Sequence, residues 1–353
     1  MTQPTTASPV RTIGIDLGDQ QSAFCVVDAD GQSLEEGSVP TNRSAFADRF
    51  GAGPSSRVVI EASSHSLWAS RCLAELGHEV IVANPRQVHL ISKSERKSDR
   101  NDARMLARLG RADPKLLRPV RQRTERSFAT RAVLSSRWQL VATRTRLINH
   151  VRAETKALGN RIPSCWSEIF TRRCRLHLPE GIRASVEPLL EVLDEIQKRI
   201  NGYDQEIDRL CKEEYPETKV LRQVTGIGPV IALTYVATVE DPSRFSRSRV
   251  LGAYLGLTPR TYQSGQRDPQ LRISKRGDNG LRSLLVSGAT YVMRRTSPDC
   301  DLKRYGKRLA RGGSPRDRAR ARVAVARKLA VLLHRLWVTG EVYQPIRERT
   351  SAA

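Results

Sequence analysis

Long apolar runs are missing from this 353-residue chain. Its longest uncharged stretch, Gln223 to Val239, has 17 residues and contains Gly226, Gly228 and Pro229. A spanning helix needs roughly 20 apolar residues, so no membrane association is expected. Met1 to Val10 holds neither a basic leader nor an apolar core, which argues against a secretory signal and for a cytoplasmic protein. The six cysteines are scattered without a CxxC pair and read as reduced thiols rather than a disulfide framework. Cys165, Cys174 and His177 come nearest to a zinc set, but a fourth ligand is not apparent. Aromatic residues make up only 5%, so base stacking is expected to be subordinate to backbone and shape contacts. Lysine is scarce too: 11 of the 60 basic residues, leaving 49 Arg. The guanidinium fork suits bidentate phosphate contacts, although codon bias in a GC-rich genome would give the same exchange.

What is abundant is positive charge. Sixty basic groups against 37 acidic ones leave +23, with a pI near 10.5; such a surface attracts polyanions, nucleic acid first. A hydrophobic fraction of 39% supports real cores, and the length suggests two or three domains. The charge is uneven. Residues 1–110 carry 12 basic and 13 acidic groups, and residues 111–353 carry 48 and 24. A near-neutral module joined to a basic remainder suits a catalytic domain attached to a nucleic-acid clamp.

Periodicity gives the architecture. Arg11 to Leu17, Ser22 to Asp28 and Ser33 to Val39 read as strands, with a hairpin turn at Asp30-Gly31. A helix from about Asn42, a strand over Arg57 to Glu61, a helix over about Ser66 to Leu76 and a strand over Glu79 to Ala83 follow. Ser98 is placed to N-cap a helix over Asp99 to Arg111. A three-strand meander followed by alternating strands and helices predicts an α/β sheet of the ribonuclease H kind over residues 11–115. Residues 120–215 read as an antiparallel helical or coiled-coil region, with long helices over Glu125 to Leu158 and Val186 to Leu210. Val133, Leu140, Leu147, Val151 and Leu158 recur at heptad-like spacing on the first, and Leu190, Leu193, Ile196, Ile200, Ile207 and Leu210 on the second. Residues 216–345 form a mostly α-helical C-terminal domain, and a disordered tail is expected after about Glu348.

Four carboxylates of the first segment belong together. Asp16 and Glu61 each end a strand, while Asp99 and Asp102 stand at i and i+3 of one helix and share a face. Such a cluster overcomes its mutual repulsion by binding hard cations such as Mg²⁺, one or two of which assist phosphodiester cleavage. Taken singly, each residue fits a turn, a cap or a solvated ion pair equally well.

In the basic remainder, Thr225-Gly226-Ile227-Gly228-Pro229 resembles a helix-hairpin-helix turn. Gly226 and Gly228 there would let backbone N–H groups approach a phosphate at a helix start. Gln263-Ser264-Gly265 lies in a polar loop flanked by Arg260, Arg267, Arg272, Lys275 and Arg276, and Arg282 follows shortly after. A serine becomes a nucleophile when a base, a metal or a positive field activates it, and cations stabilise the phosphorane. Residues 111–161 and 294–328 each hold 13 basic and 3 acidic groups, the balance of a phosphate track.

IGIDLGDQQSAFCVVDADG, VVIEA and SDRNDARMLARL together resemble the DEDD RuvC-like domain of an insertion-sequence transposase family, the bridge-RNA-guided recombinases of bacteria. The stretch from Val224 to Ala289 resembles that family's second, serine-containing module. The resemblance implies DNA transposition and recombination through a phosphoserine intermediate. Ser264 would be the nucleophile, matching the family's serine before the glycine, and Asp16, Glu61, Asp99 and Asp102 would hold Mg²⁺. It further implies double-stranded donor and target DNA, a structured non-coding guide RNA, and a homodimer or homotetramer that is nucleoid-associated when bound. Where the family often has two serines before the glycine, Gln263 takes the first place. The alternative is a Mg²⁺-dependent RuvC-like nuclease resolving branched DNA without serine chemistry. An actin-like kinase also opens on IGIDLG, but no second phosphate-binding motif follows. A non-enzymatic nucleic-acid scaffold would bind without cleaving.

Overall fold

The computed structural model describes residues 11–91, 98–265, 267, 269 and 271–346. The tail expected after Glu348 lies outside the described residues. The chain divides into two compact units, residues 1–124 and 125–353, and no described helix is long and apolar enough to cross a membrane.

The first unit is built on β1 (Thr12–Asp16), β2 (Gln21–Val27), β3 (Ser33–Pro40), β4 (Arg57–Glu61) and β5 (Glu79–Ala83). They form a mixed five-stranded sheet in the order β3-β2-β1-β4-β5. The meander pairs antiparallel, whereas β1, β4 and β5 run parallel. All five strands lie where alternation and turn residues put them. The parallel strands carry continuous apolar runs because both sheet faces are covered: Val58, Val59 and Ile60 of β4 are all fully buried. One face packs on α1 (Arg43–Phe50) and α2 (Ser66–Glu75), through Phe46, Phe50 and Leu73. The other takes α4 (Asp99–Ala112), with α3 (Pro85–Ile91) preceding it in the chain. Ser98 caps α4 as expected, its Oγ accepting from Asn101 N at 3.3 Å.

The second unit opens with the two long helices, α5 (Glu125–Ala157) and α7 (Glu180–Glu213), joined through α6 (Phe170–Arg175). Helix α7 starts six residues earlier than the heptad suggested, because Pro179 stands at its N-cap and Pro188 is accommodated inside it. The seam also differs on α5: Leu134, Ile148 and Val151 are buried, whereas Leu158 lies beyond the helix end and is exposed. A period near 3.6 rather than 3.5 rotates the apolar stripe along so long a helix. Arg137 secures the pair with a bidentate contact to Asp204 at 2.6 and 3.2 Å.

Next come α8 (Thr218–Leu221), α9 (Pro229–Val239), α10 (Val250–Tyr254), α11 (Asn279–Val292), α12 (Asp301–Leu309) and α13 (Pro315–Thr339). Helix α9, the uncharged stretch, is buried nearly all round from Ala232 to Val239, as expected of a helix with no polar face. One core gathers Leu134 of α5 and Ile207 of α7 with Leu233, Leu285 and Leu329. The ends of the long helices are thus packed into the same core as the C-terminal helices.

Candidate functional site

Asp16 and Glu61 close two neighbouring parallel strands. Ile15 of β1 pairs with Ile60 of β4, so the two carboxylates follow in register at the same sheet edge, both half-buried. Helix α4 delivers the other two. An added Cβ at Gly14 would meet Ala103 O at 2.1 Å and Ala107 N at 2.4 Å, and one at Gly110 would meet Val59 Cγ2 at 2.2 Å and Thr12 Cγ2 at 3.5 Å. Helix α4 therefore runs antiparallel to β1 in direct backbone contact, and its first turn lies at the Asp16 end. That turn carries exposed Asp99 and half-buried Asp102. Neither carboxylate has a hydrogen bond or ion pair among the described residues.

The loops beyond the strand ends add a pair that sequence spacing did not signal. His65, after β4, accepts Trp68 Nε1–H at Nδ1 over 3.2 Å, and its Nε2 lies 3.5 Å from Asp19 after β1. Edge-on Trp68 packs on Phe46 at 5.1 Å between ring centroids, fixing the imidazole beside the carboxylate edge.

The four carboxylates offer only oxygen donors, the chemistry of a hard divalent cation. Among the described residues, however, no group of three or more His, Cys, Asp or Glu side chains converges as a metal site. Sheet register and α4 bring the four backbones to one end without closing the carboxylates on a common point.

Ser264 belongs to the second unit and stands at the tip of a hairpin. Pro259 bridges Ile273 and Ser264 bridges Arg267. The rungs are Ser274 N to Thr258 O at 2.8 Å, Arg260 N to Arg272 O at 3.0 Å, and Arg267 N to Ser264 O at 3.0 Å. Gly265 takes φ +56° at the turn, a left-handed conformation that glycine adopts at little cost. Ser264, Arg260, Arg267, Arg272, Lys275 and Arg276 are all exposed, so the hydroxyl is presented in a cationic field. Among the described residues no acid or base hydrogen-bonds its Oγ.

The hairpin's root is tight. A Cβ at Gly256 (φ +67°) would lie 2.1 Å from Arg276 O, and one at Gly277 (φ +82°) 2.0 Å from Tyr254 O. Arg282 holds this crossing, donating to Leu255 O and Arg276 O, both at 3.1 Å, and to Asn279 Oδ1 at 2.7 Å. Expected on the nucleic-acid surface, Arg282 is instead buried with 7% exposure, because its fork satisfies backbone carbonyls that the tight root leaves unpaired. Asp278, not singled out from sequence, N-caps α11 by accepting Leu281 N at 2.8 Å and takes Arg131 Nη2 at 2.5 Å. Its signal was local: Gly-Asp-Asn-Gly before an apolar period is a helix start.

Gly226 and Gly228 divide. Gly226 (φ +86°) turns its bare face to α11, where a Cβ would meet Gly288 O at 2.9 Å and Val292 Cγ2 at 3.2 Å. Its small size serves packing against α11. Gly228 is exposed at the N-cap of α9, and a Cβ there would meet nothing within 4 Å.

Comparison with known proteins places both regions. The family model described as "Transposase", the DEDD domain of IS110, matches residues 13–157. The model described as "Transposase IS116/IS110/IS902 family" matches residues 218–305. Among curated relatives, the transposase for insertion sequence element IS1111A of Coxiella burnetii is 28% identical, covering 95% of this chain and 92% of its own. A probable family 20 transposase of Pseudomonas aeruginosa is 30% identical over 94% of this chain and 98% of its own. The transposase for insertion sequence element IS1328 of Yersinia enterocolitica is 27% identical over 81% and 85%. Transposases cut and rejoin DNA, and the DEDD domain implies a divalent cation. With two domain matches in order and a 30% identical relative along nearly its whole length, this chain belongs to the IS110/IS116/IS902 family of insertion-sequence transposases.

Proposed function

We propose that this transposase cuts DNA by nucleophilic attack of Ser264 on a phosphodiester, with Asp16, Glu61, Asp99 and Asp102 holding Mg²⁺ in a RuvC-like domain. The observation that carries the reading is the exposure of Ser264 at the tip of a pinned hairpin whose arms carry Arg260, Arg267 and Arg272. The Oγ–P bond forms as one P–O ester bond breaks, and the departing DNA hydroxyl takes up a proton. The serine proton passes to a base. Rejoining reverses these steps with a second DNA hydroxyl. Arginines around the tip would stabilise the charge on the phosphorane, an effect strongest where the donors are already in place. When bound, the cation supplies Lewis-acid polarisation of a phosphoryl oxygen.

The proposal includes donor and target duplexes, a structured guide RNA that selects them, and a homodimer or homotetramer. Its central test is chemical. Incubation with donor DNA followed by denaturing electrophoresis should show a covalent protein–DNA adduct in the natural chain and none in Ser264→Ala, while RNA binding survives. Full recombination by Ser264→Ala would exclude the serine as nucleophile and leave Mg²⁺-dependent cleavage without a covalent intermediate.

A further inference from the structure

A recess of about 1510 Å³ opens in the second unit beside the serine hairpin, larger than the roughly 300–1,000 Å³ that drug-sized ligands fill. One wall is the hairpin itself, through Pro259, Arg272 and Lys275; the opposite wall is α13, with α12 contributing Leu302 and Tyr305. The lining holds eight cations against one carboxylate among the described residues, Asp301. Of these, Arg335 is paired with Glu341 at 2.7 Å. Arg249, Arg272, Lys275, Arg316 and Arg327 have no carboxylate partner among the described residues. Lys328 is held 4.0 Å over the Tyr305 ring. Between the cations the surface is apolar: Leu257, Leu302, Val323 and Leu332.

A cationic rim around an apolar floor fits one kind of polyanion. A duplex keeps its bases stacked inside and offers phosphates outward, so it would use the rim and leave the floor exposed. An unpaired strand offers both, phosphates to the rim and base faces to apolar and aromatic side chains. Tyr343 and Gln344 also line the recess, so its side chains could meet a 2′-hydroxyl; what selects DNA is the wall shared with the serine hairpin, whose substrate is a DNA phosphodiester.

We infer that the recess binds unpaired DNA, the strand running on from the phosphodiester that the adjacent hairpin addresses. This rests on the serine reading above, because the hairpin arms are the shared wall. The strand would be single-stranded next to the cut, so the inference adds local melting of the duplex to the reaction.

The test uses the full chain carrying Ser264→Ala, so that binding is measured without cleavage. Probes are a short DNA strand, its duplex and the RNA strand of the same sequence. Removing two rim cations by Arg316→Ala with Lys328→Ala should weaken DNA-strand binding about tenfold and flatten its salt dependence by about 1.4, at ~0.7 per phosphate contact. Duplex affinity should change less than twofold. As a second measurement needing no pocket variant, a strand containing 5-iododeoxyuridine should photocrosslink within Asp301–Leu309 or Pro315–Thr339, and the duplex should not. Equal losses for strand and duplex, crosslinks elsewhere, or tighter pocket-dependent binding of the RNA strand would each overturn the inference. Adduct formation by the natural chain is scored separately. An adduct without pocket-dependent strand binding sinks the recess alone, and strand binding without an adduct sinks the serine alone.

Discussion

Gly14 of β1 lies directly under Ala103 of α4, so close that a Cβ on the glycine would be 2.1 Å from the Ala103 carbonyl oxygen. This contact sets how far the first turn of α4, with Asp102, stands from Asp16 two residues along the strand.

Gly14→Val should therefore lift α4 from the sheet. A clash with backbone cannot be relieved by a rotamer change, so the cost should exceed the ~1–3 kcal/mol typical of overpacking. Chemical denaturation should show it, together with loss of strand exchange. Gly53→Ala, where a Cβ meets nothing within 4 Å, should stay within ~0.5 kcal/mol of the natural chain.

Helix α4 is also tied to the edge strand. Arg104 donates through Nε and Nη2 to Glu36 of β3 at 2.7 and 2.8 Å, and Ser33 Oγ adds a third hydrogen bond at 3.1 Å. The Arg104 guanidinium is the main cause holding the Glu36 carboxyl at about 2, below its ordinary 4.5. Folding thus favours the ionised form. Its stabilisation is complete above about pH 4.5 and lost as pH falls toward 2. Melting curves across that range should show Glu36→Gln less stable than the natural chain at pH 6, with the gap closing by pH 2. A constant gap would mean that the ion pair contributes no pH dependence.

Arg282 should behave as a structural residue. Arg282→Ala leaves the buried Leu255 carbonyl without its donor, at about 1–3 kcal/mol, and frees the part-buried Arg276 carbonyl at a smaller cost. Thermal unfolding should fall measurably, and proteolysis should speed up within residues 256–277. The salt dependence of nucleic-acid binding should change little, because a buried guanidinium contacts no phosphate.

Asp102→Asn should leave the fold intact, since the Asp102 side chain has no partner among the described residues. Mg²⁺-dependent strand exchange should nevertheless drop by more than the roughly 10–100-fold seen on losing an outer-shell partner of a metal. Unchanged exchange would remove Asp102 from the metal set.

Local sequence reading succeeded where the determining physics is local. Ser98 caps α4 because a hydroxyl there reaches Asn101 N. The five strands follow from alternation, apolar runs and turn residues, and both long helices follow from their apolar stripes. It failed where a side chain's surroundings come from distant chain. Arg282 looked like one more cation in a basic stretch, yet residues 255 and 276 surround it with carbonyls. The packing of the bare face of Gly226 on α11 was likewise invisible in the linear spacing.

Alone, the sequence determined the charge division at about residue 110, the order of strands and helices, and the identity of four carboxylates and one serine as chemically notable. Those properties reside in residue type and spacing of a few positions. Tertiary structure decided that Asp16 and Glu61 end adjacent parallel strands, that glycine contacts bring Asp99 and Asp102 to the same edge, and that the serine hairpin forms the wall of a cationic recess. Strand register, backbone approach and concavity depend on residues tens to hundreds of positions apart, and linear spacing carries no record of them.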